Sequence, residues 1–274
     1  MIARFARRAM LLGLLLLAVR PALAADVVLA STPSLENSGL LASLMRDFTA
    51  ETGIEVRVLA LGTGQALAVT ARGDADLVLV HDPDAEQRFM DEGHGAERRE
   101  VAWNDFIVIG PVADPARVAG GHDAAAALSA IAQAGAPFVS RGDNSGTHAL
   151  ERRLWRAAGQ DLAKAGSWYR DIGGGMGAAL NAAAAMGAYT VSDRGTWLSF
   201  GNKAGLRIVV EGGRALLNPY SIIMPTEAGH RPQGREPARR LAAWLMSSDG
   251  QDAIEMFMVD GERLFNPVAM PKPK

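Results

Sequence analysis

From residue 26 onward the chain alternates short apolar runs with longer amphipathic ones, and that alternation leaves few folds open to it. DVVLAS (26–31) reads as a strand and SGLLASLMRDFTAETG (38–53) as a helix closed by glycine. IEVRVLAL (54–61) is a strand, GTGQALAVTARG (62–73) a turn and helix, and DLVLVH (76–81) a third strand. The order β-α-β-α-β predicts a parallel, doubly wound sheet with helices on both faces. Ligands of such sheets sit beyond the carboxyl ends of the strands, which here are STPS, GTGQ and HDPD.

After a further apolar run, AWNDFIVIGP (102–111), the pattern starts afresh. It gives an alanine-rich helix (123–134), the strand PFVSR (137–141), a helix opening at 145–147, the segment GGGMGAALNAAAAMG (173–187), and the strands AYTVS (188–192) and LRIVVEG (206–212). LLNPYSIIMP (216–225) and two helical stretches close the chain. Two α/β lobes are expected, with crossovers near Gly110 and near 211–213. Periodicity does not say which lobe the tail joins.

The first residues set the compartment. Arg4, Arg7 and Arg8 precede the apolar run MLLGLLLLAV (10–19), and Ala22-Leu23-Ala24 follows it. The run is shorter than the roughly 18 residues a membrane span needs, so residues 1–24 read as a secretory signal peptide. Its four arginines leave with it, taking the formal charge from -2 to -6. That acidity excludes a general nucleic-acid binder but not a cradle for one small anion, because local N–H groups and an Arg override net charge. The chain has no cysteine, which excludes disulfides, a thiol nucleophile, Cys-type metal sites and the lipidated cysteine of a tethered receptor. A freely soluble periplasmic protein is expected.

The loops at the strand ends carry the candidate chemistry. In STPSLENSGLL, Ser31, Thr32, Ser34 and Ser38 cluster where a helix start receives an anion, although serines here also serve as plain caps. Gly62 and Gly64 of GTGQAL permit close backbone approach to a ligand; a tight turn alone explains them equally well. GGGMG lacks the Gly-Lys-Ser/Thr of a phosphate loop. SRGDNSGTHALE (140–151) admits a hydrolase reading through Ser145 and His148, but no G-x-S-x-G elbow is present. Asp74, Asp76, His81, Asp82 and Asp84 form a loose group without metal-ligand spacing, so no metal site is expected. Asp193-Arg194 reads as a structural ion pair. Arg141 ends a strand, and its planar donors with Ser145, Gly146 and Thr147 at a helix start favour an oxyanion site.

Together these loops resemble the tungstate-binding family of periplasmic solute receptors, relatives of the molybdate, sulfate and phosphate receptors. The matching blocks are STPSLENSGLL, LALGTGQAL with GDADLVLVH, WNDFIVIGP, FVSRGDNSGTH, GGGMGAALN, GAYTVSDRGTWL and LLNPYSIIM, in order from Ser31 to Met224. The resemblance implies an α/β, two-lobed periplasmic binding protein (type II Venus flytrap), each lobe a mainly parallel sheet flanked by helices. It implies lobe 1 at 25–110 plus 214–274 and lobe 2 at 111–213. By position, Thr32, Arg141 and Thr147 match the family's ligand contacts; Ser34, Thr63, Ser145 and Gly146 join them, partly through backbone N–H. The family's first loop reads Thr-Thr-Thr-Ser where this chain has Ser31-Thr32-Pro33-Ser34, so Pro33 removes one hydroxyl and one N–H donor. The implied function is capture of tungstate, with molybdate as second ligand, and delivery to an ABC permease with its cytoplasmic ATPase by a monomer without enzyme activity or cofactor. The alternatives are a phosphate or sulfate receptor of the same fold, a sensor module presenting the same cleft, and a secreted serine hydrolase using Ser145 and His148.

Overall fold

The computed structural model describes residues 27–143, 145–227, 231–259 and 261–269. The secretory leader read over 1–24 lies outside them. Lobe 1 starts with β1 (Val27–Ser31), the one-turn α1 (Pro33–Asn37), α2 (Leu40–Thr52), β2 (Val56–Ala60), α3 (Thr63–Ala71), β3 (Leu77–Val80) and α4 (Pro83–Asp91). The chain then enters β4 (Gly95–Pro111), a strand of 17 residues. α5 (Ala124–Gln133), β5 (Phe138–Ser140), α6 (Gly146–Ala157), β6 (Tyr169–Asp171), α7 (Met176–Met186), β7 (Thr190–Asp193), α8 (Arg194–Ser199) and β8 (Leu206–Val210) build the second lobe. β9 (Leu217–Pro225) returns to the first sheet, followed by α9 (Arg235–Met246), α10 (Ser248–Met256), the small hairpin β10 (Met258–Val259) and β11 (Glu262–Arg263), and β12 (Asn266–Pro267).

The sequence rule for a sheet buried on both faces is a continuous apolar run whose alternate side chains point opposite ways. β1 obeys it: Val27 and Leu29 enter the cluster with Leu41, Leu44, Phe48 and Leu241, while Val28 and Ala30 enter the one with Ala66, Leu67 and Phe89. On the first face Phe48 of α2 meets Trp244 of α9 edge to face, ring centroids 5.6 Å apart. The later half of β4 repeats the device in lobe 2. Phe106 and Val108 pack with Leu128, Leu154 and Trp155, whereas Ile107 and Ile109 pack with Met176, Leu180 and Trp197.

Strand order in the first sheet is β12-β4-β9-β3-β1-β2. β1 pairs parallel with β2 and β3, and β5 pairs parallel with β6. β9 runs antiparallel to β3 and β4, and β4 antiparallel to β7, β8 and β12. The sheets are therefore mixed and not mainly parallel as expected. Local periodicity predicts a strand but not its direction, which depends on the side from which a crossing chain enters the sheet. β4 changes partners along its length, pairing Asp105 with Leu217 in the first sheet and Phe106 with Asp193 in the second.

α4 is an element the sequence reading passed over. HDPD looks like a loop of solvated acids, yet Asp82 caps the helix by accepting the Ala85 N–H at 3.2 Å and Pro83 fills its first turn. Both are strong helix-start signals.

Candidate functional site

A cleft of about 1010 Å³ runs between the lobes. Thr32, Ser34, Thr63, Arg141, Ser145, Gly146 and Thr147, scattered over 116 positions of sequence by their numbering, all line it. One wall carries the β1–α1, β2–α3 and β3–α4 turns; the other carries the β5–α6 loop and the start of α8. The crossing strands supply Asn104, Phe106, Asn218 and Tyr220 between them. The volume matches that of a site for a drug-sized ligand, roughly 300–1,000 Å³.

On the lobe 1 wall, Thr32 stands at the N-cap of α1 without capping through its side chain. Its hydroxyl instead pairs with the Ser34 hydroxyl at 3.1 Å. Thr63 is the first residue of α3, whose cap is Gly62. The opening N–H groups of a helix have no partner within it and, in a helix of two turns or more, stand at the positive end of its dipole.

The lobe 2 wall is organised around Arg141. Asp143 receives the Arg141 Nε at 3.1 Å and Nη2 at 2.5 Å, and Nη1 reaches the Thr147 hydroxyl at 3.4 Å. This fixes the plane of the guanidinium while leaving further N–H bonds unspent. The other Asp143 oxygen accepts the Ser145 N–H at 3.1 Å. Desolvation works against ionisation of Asp143, but the hydrogen bonds from Ser145 and Arg141 outweigh it and hold the carboxyl below its usual range. Between them Gly142 adopts φ +63°, and a Cβ there would lie 1.3 Å from Asp171 Oδ1. Only glycine fits.

Ser145 caps α6, its Oγ accepting the His148 N–H at 3.3 Å. This bond runs to the His148 backbone and not to its ring. Of the loose acidic group, Asp76 is fully buried and binds Arg231 and the Val28 N–H, Asp74 pairs with Arg72, and Asp82 caps α4. The expected Asp193–Arg194 pair is corrected: Asp193 caps α8 through the Thr196 N–H and hydroxyl, and Arg194 pairs with Asp105 and Glu211. Sequential neighbours at a strand-to-helix junction point apart, so each finds a distant partner.

The centre of the cleft is built from residues that carry little local sequence signal. His81 lies between the lobes: its Nε2 is 3.2 Å from the Ser34 hydroxyl, and its Nδ1 is 3.0 Å from Asn218 Oδ1. Its ring lies against Tyr220, tilted by 30°, with centroids 4.8 Å apart. Asn218 in turn donates to Asn104 Oδ1 at 2.7 Å and to the Tyr220 hydroxyl at 2.9 Å. Burial lowers the His81 pKa, opposed by the Asn218 hydrogen bond and by Asp193 and Asp82. The only local signal was a polar residue at the end of a buried strand. Asn104 and Asn218 stood unremarked in WNDFIVIGP and LLNPYSIIM.

A PBP superfamily domain matches residues 20–249. The tungstate-binding protein TupA of Peptoclostridium acidaminophilum is 40% identical over 248 residues, covering 89% of this chain and 86% of its own. The structure of TupA from Desulfovibrio alaskensis G20 superposes with a TM-score of 0.83 at 42% identity, covering 89% of this chain and 99% of its own. That of the tungstate ABC transporter from Geobacter sulfurreducens gives 0.71 at 39% identity, covering 84% and 98%.

Proposed function

The chain belongs to the tungstate-binding proteins of the PBP superfamily, and on that premise we propose that it captures tungstate outside the cytoplasm and delivers it as a monomer to an ABC permease. The observation that carries this reading is the clustering around one cleft of Arg141, the hydroxyls of Thr32, Ser34, Thr63 and Thr147, and the starts of α3 and α6. Such a set suits a fully ionised tetrahedral anion. A dianion that sheds its water must meet several fixed donors at once, and donors cost least when already oriented. Arg141, held edge-on by Asp143, supplies charge. Thr147, Gly146 and Ser145 surround it from lobe 2, and Thr32, Ser34 and Thr63 face them from lobe 1.

We assign lobe 1 to the chain on either side of the second sheet, with the first crossing at the Asp105–Phe106 partner exchange of β4, about five residues before Gly110. Donors on both walls give the anion a higher affinity for the closed form, which draws the open form toward it. Molybdate, of the same charge and shape, is the second ligand of this reading. The protein's role is binding and not catalysis.

Titration calorimetry of the mature chain with tungstate, molybdate, sulfate and phosphate tests the proposal. Heat is expected with tungstate, and Arg141→Ala should weaken binding at least about 100-fold, ~3 kcal/mol. Absence of tungstate binding, with heat from phosphate or sulfate instead, would replace the ligand.

A further inference from the structure

The hydrogen bonds behind the cleft have a fixed direction. Asn218 Nδ2 spends both hydrogens on Asn104 Oδ1 and the Tyr220 hydroxyl. Its carbonyl oxygen therefore faces His81, whose Nδ1 must carry a hydrogen to donate to it at 3.0 Å. A neutral imidazole protonated at Nδ1 has a lone pair at Nε2. The Ser34 hydroxyl, 3.2 Å from Nε2, then donates to the ring. In this arrangement Ser34 points its hydrogen away from any ligand in the cleft, although its oxygen stands on the cleft wall.

We propose that His81 takes up one proton from solvent when a tetrahedral dianion enters the cleft, and that this proton turns the Ser34 hydroxyl from the imidazole toward the anion. The new N–H bond at Nε2 donates to Ser34 Oγ. The Ser34 O–H bond stays intact, rotates, and becomes a donor for the ligand. The proposal rests on the oxyanion-receptor reading and adds to it a positioning residue with a net proton uptake.

The charges around the ring support the switch. Asp82, on the ring's own turn, and Asp193, at the start of α8, favour the imidazolium; Arg153 of α6 opposes it. Arg153 lies 3.7 Å from Asp82 and 3.6 Å from Asp84. Arg141, on the facing wall, is matched by Asp143. Burial outweighs these charges and lowers the pKa of the ring, favouring its neutral form. A dianion contributes the negative charge that tips the balance. Gly146, whose Cβ would stand 3.1 Å from the imidazole, lets the α6 start close over the ring without a side chain between them.

The test is calorimetry of sodium tungstate binding to the mature chain at pH 7 in Pipes, Hepes and Tris, which differ in ionisation enthalpy. The apparent binding enthalpy should vary with buffer to give uptake approaching one proton, and affinity should rise up to about tenfold per pH unit lowered between the free and bound His81 pKa values. In His81→Gln binding should be weaker and the uptake gone. Nitrogen NMR of the wild-type ring gives a second reading that needs no variant: Nε2 should be bare in the free protein and protonated in the complex. Tungstate binding without proton uptake, uptake that persists in His81→Gln, or an unchanged Nε2 resonance overturns the switch alone. Failure to bind tungstate, molybdate, sulfate or phosphate overturns the receptor reading and the switch together.

Discussion

Glu151 points into the core of lobe 2, with only 1% of its surface exposed. One carboxylate oxygen accepts the Trp155 Nε1 hydrogen at 3.2 Å and the Tyr169 hydroxyl at 2.9 Å. Burial nevertheless pushes its pKa up to about 7. An acid whose pKa rises on folding binds its proton more tightly in the native state. Its stabilisation is complete below the unfolded pKa and is lost as pH rises through the folded one. Between pH 4.5 and about 7 this amounts to on the order of 3 kcal/mol. Urea unfolding at pH 5 and pH 8 should show the wild type losing that much, while Glu151→Gln changes little; equal losses in both proteins would clear Glu151 of the effect. The same contrast explains which residues could be read from sequence. Arg141 advertised itself through its neighbours, a strand before it and a glycine- and hydroxyl-rich helix start after it. His81 depends on Asn218, 137 residues away, and no local pattern reaches that far.

At the scale of elements, Gly142 lets Asp171, at the end of β6, sit against the backbone at the start of the β5–α6 loop. Gly142→Ala must pay for a left-handed alanine, about 1 kcal/mol, and also displace that carboxylate. The variant should unfold at lower temperature by calorimetry and lose most of its oxyanion affinity, since Gly142 sits between Arg141 and the Asp143 that orients it. Unchanged binding would show that the loop tolerates the shift. Most strands and helices were legible because apolar period and capping residues agree locally, as for α5 behind Asp123 and α2 before Gly53. The first half of β4 was not. GAERREV is largely charged and partly exposed, and it becomes strand through an antiparallel ladder with β9 whose register shifts between Gly95 and Glu97 and between Glu100 and Ala102. α4 was lost for the opposite reason: its helix-start signals were read only as acidity.

Across the whole molecule, Arg194 joins the two crossings. Its guanidinium holds Asp105 on β4 through Nε at 2.8 Å and Nη2 at 2.6 Å, and Glu211 ahead of β9 through Nη2 at 2.7 Å. Hydrogen bonds to charged groups are worth about 1.5–3 kcal/mol when not fully exposed. Arg194→Ala should therefore lower the unfolding free energy by about 1–3 kcal/mol, and small-angle scattering should find the ligand-free lobes more widely distributed; an unchanged denaturation midpoint and scattering profile would reject the clamp. The exchange of partners along β4 also bears on how the protein is born. A chain emerging amino end first makes β1, β2 and β3 early, then β4, yet the strand that belongs between β3 and β4 is β9. Until that late strand arrives, the first sheet exists as two pieces with open edges, while the second lobe is already complete in sequence. Open edges invite pairing with other chains, and contacts between distant segments form slowly. The interval before β9 inserts is thus the nascent chain's most exposed moment, and a chaperone that shields the facing edges of β3 and β4 would act where this topology leaves the greatest need.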